Sequence, residues 1–196
     1  MRVSRRMFLS VAASAPLLAG DDRPRAECHL VDLGHGCVVR ESLAGFQMAL
    51  QQAGLGQDER ARHLIIPGAG VLDDAALASV HRQLGRGGTV LLECCTQLEG
   101  ELGIEVGGRA GRGGSYFPYV DYSWPVRVKI REFRPVWLLP AAEDEVIGTF
   151  AGRAVALRRR VGDGTLLVMG SPIGPVFLTG DPDARLWLEG FFIGRE

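Results

Sequence analysis

At 196 residues, 46% of them hydrophobic, the chain has enough material for one domain with a real core and too little for two comfortable ones. Its 22 basic and 23 acidic residues nearly cancel, which excludes the chain-wide field that draws a protein onto nucleic acid or an anionic membrane, so no nucleic-acid partner is expected. Four cysteines are too few for a disulfide scaffold, and the glycine excess falls at turns such as Gly68-Ala69-Gly70 and Gly87-Gly88 rather than in a repeat.

In chain order, the first feature is Ser4-Arg5-Arg6-Met7-Phe8-Leu9. It resembles the twin-arginine export motif, with Ser10 in place of the usual following lysine. Residues 7–20 form a weakly apolar stretch of the length of a signal h-region, too short and too rich in Ala and Ser to span a bilayer. No cysteine follows Leu18-Ala19-Gly20, which argues against a lipoprotein anchor. This divides the chain into a signal segment, residues 1–22, and a single domain, residues 23–196, with cleavage expected between residues 19 and 26. The resemblance implies that the twin-arginine translocase handles the folded chain. The mature domain is then expected in the periplasm or another extracytoplasmic space, tethered to the membrane if the signal stays uncleaved.

Residues 28–33 read as a short buried strand that runs into the loop Gly34-His35-Gly36. Residues 41–53 carry Leu43, Phe46, Met48, Ala49 and Leu50 at broadly helical spacing, closed by Gly54. Residues 63–68 are a second apolar strand ending in a turn; Asp73-Asp74 can cap a helix over 75–84, and Gly85 with Gly87-Gly88 ends it. Residues 89–92 are another fully apolar strand. Apolar strands alternating with helices predict a parallel sheet covered on both faces.

The middle of the chain changes character. Residues 103–114 are glycine-rich and residues 116–137 are aromatic, basic and broken by prolines, which reads as a long loop followed by strands. The strict alternation over 126–131 predicts a half-exposed strand. Residues 146–150 and 154–158 read as a hairpin around Gly152, residues 164–169 as a last buried strand, and residues 183–192 as a final helix that turns Leu186, Trp187 and Phe191 toward the sheet.

The run Leu64-Ile65-Ile66-Pro67-Gly68, a helix, Gly87-Gly88, an apolar strand and then Cys94 resembles the central part of the class I glutamine amidotransferase-like superfamily. The resemblance implies a flavodoxin-like three-layer α/β domain with a mostly parallel sheet and a β-rich C-terminal half. It also places Cys94 where the family carries its nucleophile, on a strand-to-helix turn whose amides can lower a thiol's pKa and hold an oxyanion. Three departures oppose catalysis. The turn reads Glu93-Cys94-Cys95-Thr96-Gln97, where the family has a small residue two positions after the cysteine. The last strand of active members delivers His-Pro-Glu, whereas here Ile173 stands for the base and Pro175 for its carboxylate partner. A thiol without a base stays mostly protonated near neutral pH. Finally, only residues 55–62 separate the first helix from the second apolar strand, so the family's usual intervening strand scarcely fits.

The remaining signals are weak. His29, His35, His63 and His81 are scattered, none at metal-motif spacing, and His81 is expected to face solvent. No cofactor and no metal site is expected. The stretch Gly107 to Gly114, with Arg109 and Arg112, reads either as an anion-wrapping loop or as a plain surface loop. Arg158-Arg159-Arg160 reads as a solvated hairpin end. Tyr116, Phe117, Tyr119, Tyr122 and Trp124, with Arg127 and Arg131, form an aromatic cluster that suits a docking surface as well as a core. Because parallel strands point one way, the loop His35-Gly36-Cys37 and the turn Cys94-Cys95 should share the C-terminal edge of the sheet. A Cys37 bridge to Cys94 or Cys95, a metal held with His35, and packed free thiols are the competing outcomes. The expected function is an exported, non-catalytic amidotransferase-like domain that binds a partner protein or a small molecule at that edge, with Gly68, Gly70, Cys37, Cys95 and Ser171 as the ligand-edge candidates. The alternative is a cysteine-dependent amidase or hydrolase using Cys94, with His35 as an unconventional base.

Overall fold

The computed structural model describes residues 27–93, 102–109 and 118–193. The export motif, Cys94, Cys95, Tyr116, Phe117 and the end of the glycine-rich stretch lie outside the described residues.

The chain forms a nine-stranded mixed sheet in the order β2-β1-β3-β4-β11-β10-β9-β6-β7, with a separate two-stranded sheet of β5 and β8. In sequence these are β1 (Glu27–Leu30), β2 (Gly56–Gln57), β3 (His63–Ile66), β4 (Thr89–Glu93), β5 (Glu105–Arg109), β6 (Tyr119–Tyr122), β7 (Val128–Arg131), β8 (Val136–Leu139), β9 (Glu145–Phe150), β10 (Arg153–Val161) and β11 (Gly164–Met169). The helices are α1 (Arg40–Gln52), α2 (Asp74–Gly85), the one-turn α3 (Gly174–Phe177) and α4 (Pro182–Ile193).

Strands β2, β1, β3, β4 and β11 run parallel. From β11 through β10, β9, β6 and β7 every pairing is antiparallel. The expectation of a mostly parallel sheet is thereby corrected: the parallel portion is half of a mixed sheet. For β9, β10 and β11 and for β6 and β7 the reason is local, since short connections join these neighbours as hairpins and parallel pairing needs a crossover of a dozen or more residues.

Each helix forms where apolar periodicity and a stop signal agree. Phe46, Ala49 and Leu50 bury one stripe of α1, and Gly54 follows its end with φ +69°, a backbone conformation that costs glycine nothing. Asp73 caps α2, its side chain accepting the Ala76 amide at 2.8 Å. One face of the sheet packs on α1, α3 and α4 through Cys28, Leu30, Ile65, Leu91, Leu167 and Met169, with fully buried Trp187 at the centre. The opposite face packs Leu64, Ile66, Val90, Leu92 and Val168 against Val80 and Leu84 of α2 and against Val136 and Leu138 of β8. The second face is therefore covered partly by a helix and partly by the small sheet.

Several expectations change. The glycine-rich stretch contains β5, whose partner β8 supplies the ladder that its glycines weaken. A two-residue β2 does fit between α1 and β3, pairing Glu27 with Gly56 and Cys28 with Gln57. Leu186 is 46% exposed, so α4 buries Trp187, Leu188 and Phe191 instead. The triple arginine does stand near the β10–β11 hairpin end, with Arg160 exposed, but Arg159 is buried rather than solvated, its Nε and Nη2 donating to the two carboxylate oxygens of Asp144 at 2.7 and 2.9 Å and its Nη1 to the Leu102 carbonyl at 2.9 Å. The Asp144 carboxylate raises the Arg159 pKa further, fixing its charge.

Candidate functional site

The C-terminal edge of the parallel strands gathers four chain segments. After β1, a 3-10 turn at Gly34–Gly36 carries His35, exposed, and leads to Cys37. After β3 comes Pro67-Gly68-Ala69-Gly70. Backbone bonds stitch the two loops together: Val38 donates to the Gly68 carbonyl and Gly70 to the Gly36 carbonyl, both at 2.9 Å, and Cys37 and Ala69 form an isolated bridge. The Ala69 amide then donates to the Glu93 carbonyl at 2.8 Å, joining these loops to the end of β4. The approach demands glycine at Gly68, where φ is +58° and a Cβ would stand 2.5 Å from the Val39 carbonyl oxygen.

At the centre lies Glu93, with no solvent exposure. Its Oε1 accepts the Ile173 and Gly174 amides at 2.6 and 2.9 Å, from the start of α3. Its Oε2 accepts the Gly68 amide at 3.3 Å and the Ser42 hydroxyl of α1. Four donors from three other segments thus converge on one carboxyl group. Burial pushes its pKa up, and the donated hydrogen bonds pull against that shift. Gly45 and Gly174 let α1 and α3 close around this group, since a Cβ on Gly45 would fall 1.7 Å from the Gly174 carbonyl oxygen.

Cys37 is half buried, its thiol 3.3 Å from the Val39 carbonyl oxygen, and burial with nearby Asp32 and Glu93 raises its pKa despite that hydrogen bond. Cys28, wholly buried in β1, is pushed up to about 11. Both are free thiols. Cys37 lies against the β3 loop, while Cys94 and Cys95, with which the sequence places it at one edge, lie outside the described residues. Ser171, also buried, accepts the Phe133 amide at 3.0 Å and so is tied to the antiparallel half. Ile173 is 1% exposed, its side chain packed in the core and its amide committed to Glu93. No three His, Cys, Asp or Glu side chains among the described residues cluster closely enough to hold a metal.

Sequence reasoning missed Glu93. It stands last in an apolar run, where a charged residue ordinarily marks emergence into solvent, and its partners come from positions as far away as Gly174. The available signal was a single glutamate at the end of an otherwise apolar strand.

These features define the class: an α/β domain with a mixed sheet whose parallel half ends in loops gathered around a buried carboxyl group. No family model and no curated protein sequence matches the chain. Among solved structures it is similar to a glutamine amidotransferase from Thermotoga maritima, at 12% identity and TM-score 0.53, over 85% of this chain and 90% of that one. It is also similar to the mmIFT52 N-terminal domain, at 15% identity and TM-score 0.55, over 84% of this chain and 95% of that one. The exo-beta-1,4-mannosidase Op5Man5 from Opitutaceae bacterium strain TAV5 matches at 16% identity and TM-score 0.61, over 85% of this chain but 36% of that one. The chain thus spans about a third of the length of that glycosidase. At these identities the likeness is one of fold, and an amidotransferase-like fold is what the element order supports.

Proposed function

We propose that the chain is a non-catalytic amidotransferase-like domain, delivered across the membrane by the twin-arginine route, which binds a partner protein or small molecule at the C-terminal edge of its parallel strands. The observation that carries the non-catalytic reading is the commitment of Glu93 and Ile173. The position where the resemblance calls for an imidazole holds a buried isoleucine, and the carboxyl group next to Cys94 in sequence is occupied by four hydrogen bonds. His35 is exposed on its turn, outside this hydrogen-bonded group. Binding at the same edge is supported by the rim of the stitched loops, where Val38 and Val71 are 58% and 52% exposed.

Two measurements test the reading. The purified domain should release no ammonia from glutamine at a rate sensitive to Cys94→Ala; a clear Cys94-dependent rate would establish the cysteine amidase instead. Replacing Arg5-Arg6 with Lys-Lys should hold the chain in the cytoplasm, and undiminished export of that variant refutes the twin-arginine route.

A further inference from the structure

A second polar cavity lies at the other end of the parallel strands and owes nothing to the reading above. It measures about 200 Å³ and is lined by His29 of β1, Arg60 of the loop before β3, Ser79, Arg82 and Gln83 of α2 and Arg86 at its C-cap, with Glu59 and Leu64 completing the wall. Ser79, Arg82, Gln83 and Arg86 are spaced three and four apart and so share one side of the helix and its end.

The guanidiniums are oriented by neutral groups. The Arg82 Nη2 donates to the Ser79 hydroxyl at 2.9 Å, and the Arg86 Nη2 donates to the Gln83 side-chain oxygen at 2.5 Å. Gln83 is 4% exposed, and its own Nε2 donates to the Ala61 carbonyl at 3.0 Å, so the acceptor that holds Arg86 is itself fixed. Arg60 sits on a tight turn in which Asp58 accepts its amide at 2.8 Å. Neutral acceptors set direction without cancelling charge. None of the ion pairs among the described residues includes Arg60, Arg82 or Arg86, in contrast to Lys129, Arg158 and Arg159, each of which has a carboxylate. Three guanidiniums therefore face one carboxylate around a small concavity.

We infer that this cavity binds the oxyanion head of a small phosphate or sulfate monoester. Arginines present paired donors that fit such oxygens, and those not used by Ser79 and Gln83 remain for a ligand. Glu59 makes the site selective: it repels a second anionic group and accepts a hydrogen bond from a hydroxyl on the ligand's uncharged remainder. The concavity disfavours a flat membrane surface, whose headgroups would meet Glu59 on its wall.

The test is calorimetric titration of the full chain with glycerol 3-phosphate at low ionic strength, with glycerol as the neutral control. Saturable one-to-one binding is expected for the ester and none for glycerol. Arg82→Gln and Arg86→Gln should each weaken it about tenfold, the loss of one charge-assisted contact. Arg153→Gln, in the antiparallel half over Trp137, should leave it unchanged. Folding of each variant is checked by circular dichroism, and Ser79→Ala offers a milder change expected to weaken binding in the same direction. Absence of binding by the native chain, equal binding by the folded arginine variants, or adsorption to phosphatidylglycerol vesicles without binding of the soluble ester each overturns the inference.

Discussion

A buried carboxyl group that accepts four hydrogen bonds behaves differently from a surface glutamate, because each donor loses water as well when the carboxyl is removed. Glu93→Gln keeps the shape but replaces one acceptor oxygen with a donor that faces other donors. It should destabilise the fold by about 2 to 4 kcal/mol, in the range for leaving buried polar groups mismatched. Ser42→Ala removes a single bond to the same carboxyl and should cost less, about 1.5 to 3 kcal/mol. Urea unfolding followed by tryptophan fluorescence measures both. Equal, near-zero changes would mean that Glu93 does not hold the edge together. This contribution was not legible in the sequence, whereas Trp187 as a core residue was, because an aromatic on the inner stripe of a terminal helix has few other places to go.

Between elements, the closest contact is that of α1 with α3. Gly45→Ala should be among the most damaging single changes, costing about 3 kcal/mol or more, because the added methyl meets backbone rather than a side chain able to turn aside. Neither Gly45 nor Gly174 announced this, since a glycine inside a helix pattern and one beside two prolines both read as ordinary turn or helix glycines. A second contact carries a pH dependence. His63 of β3 packs edge-on against Phe191 and Phe192 of α4, both at 5.1 Å between ring centres. Burial, with Arg62 nearby, lowers its pKa from the ordinary 6.5. The folded state therefore binds this proton less readily than the unfolded chain. The stability it contributes is complete above the unfolded value and is lost as pH falls through the depressed folded value. His63→Gln should flatten the fall in stability between about pH 7 and pH 5; an unchanged slope in that variant means that another group titrates there.

At the scale of the molecule, the parallel half was readable and the antiparallel half only in part. Strands β3, β4 and β11 have apolar centres flanked by glycine-containing turns, helices α1, α2 and α4 have apolar periods, and α2 has an Asp73 cap, so local signals and tertiary burial agree. Strands β5, β6 and β8 were obscured because Gly107 and Gly108 weaken a strand signal and because Tyr122, Trp124 and Trp137 could be core or surface. Arg159 misled for a related reason: three consecutive arginines read as solvated, and the groups that make burial of the middle one favourable, Asp144 and the Leu102 and Gly103 carbonyls, lie fifteen or more positions away. The C-terminal edge of the parallel strands gathers Cys37, Gly68 and Gly70 beside the buried Glu93 carboxyl group, which no sequence pattern announced.

The central claim of the proposed function, that Cys94 is not an activated nucleophile, is tested most directly by the pH dependence of its alkylation. Iodoacetamide labelling of the reduced, folded Cys95→Ser chain, read by mass spectrometry on the peptide containing Cys94, isolates that thiol from Cys28 and Cys37. The account predicts a rate that rises with a midpoint at or above the ordinary thiol value of about 8.5, since the adjacent residue is a buried carboxyl group and no imidazole replaces Ile173. A reactive plateau that persists below about pH 7 requires a stabilised thiolate and contradicts it.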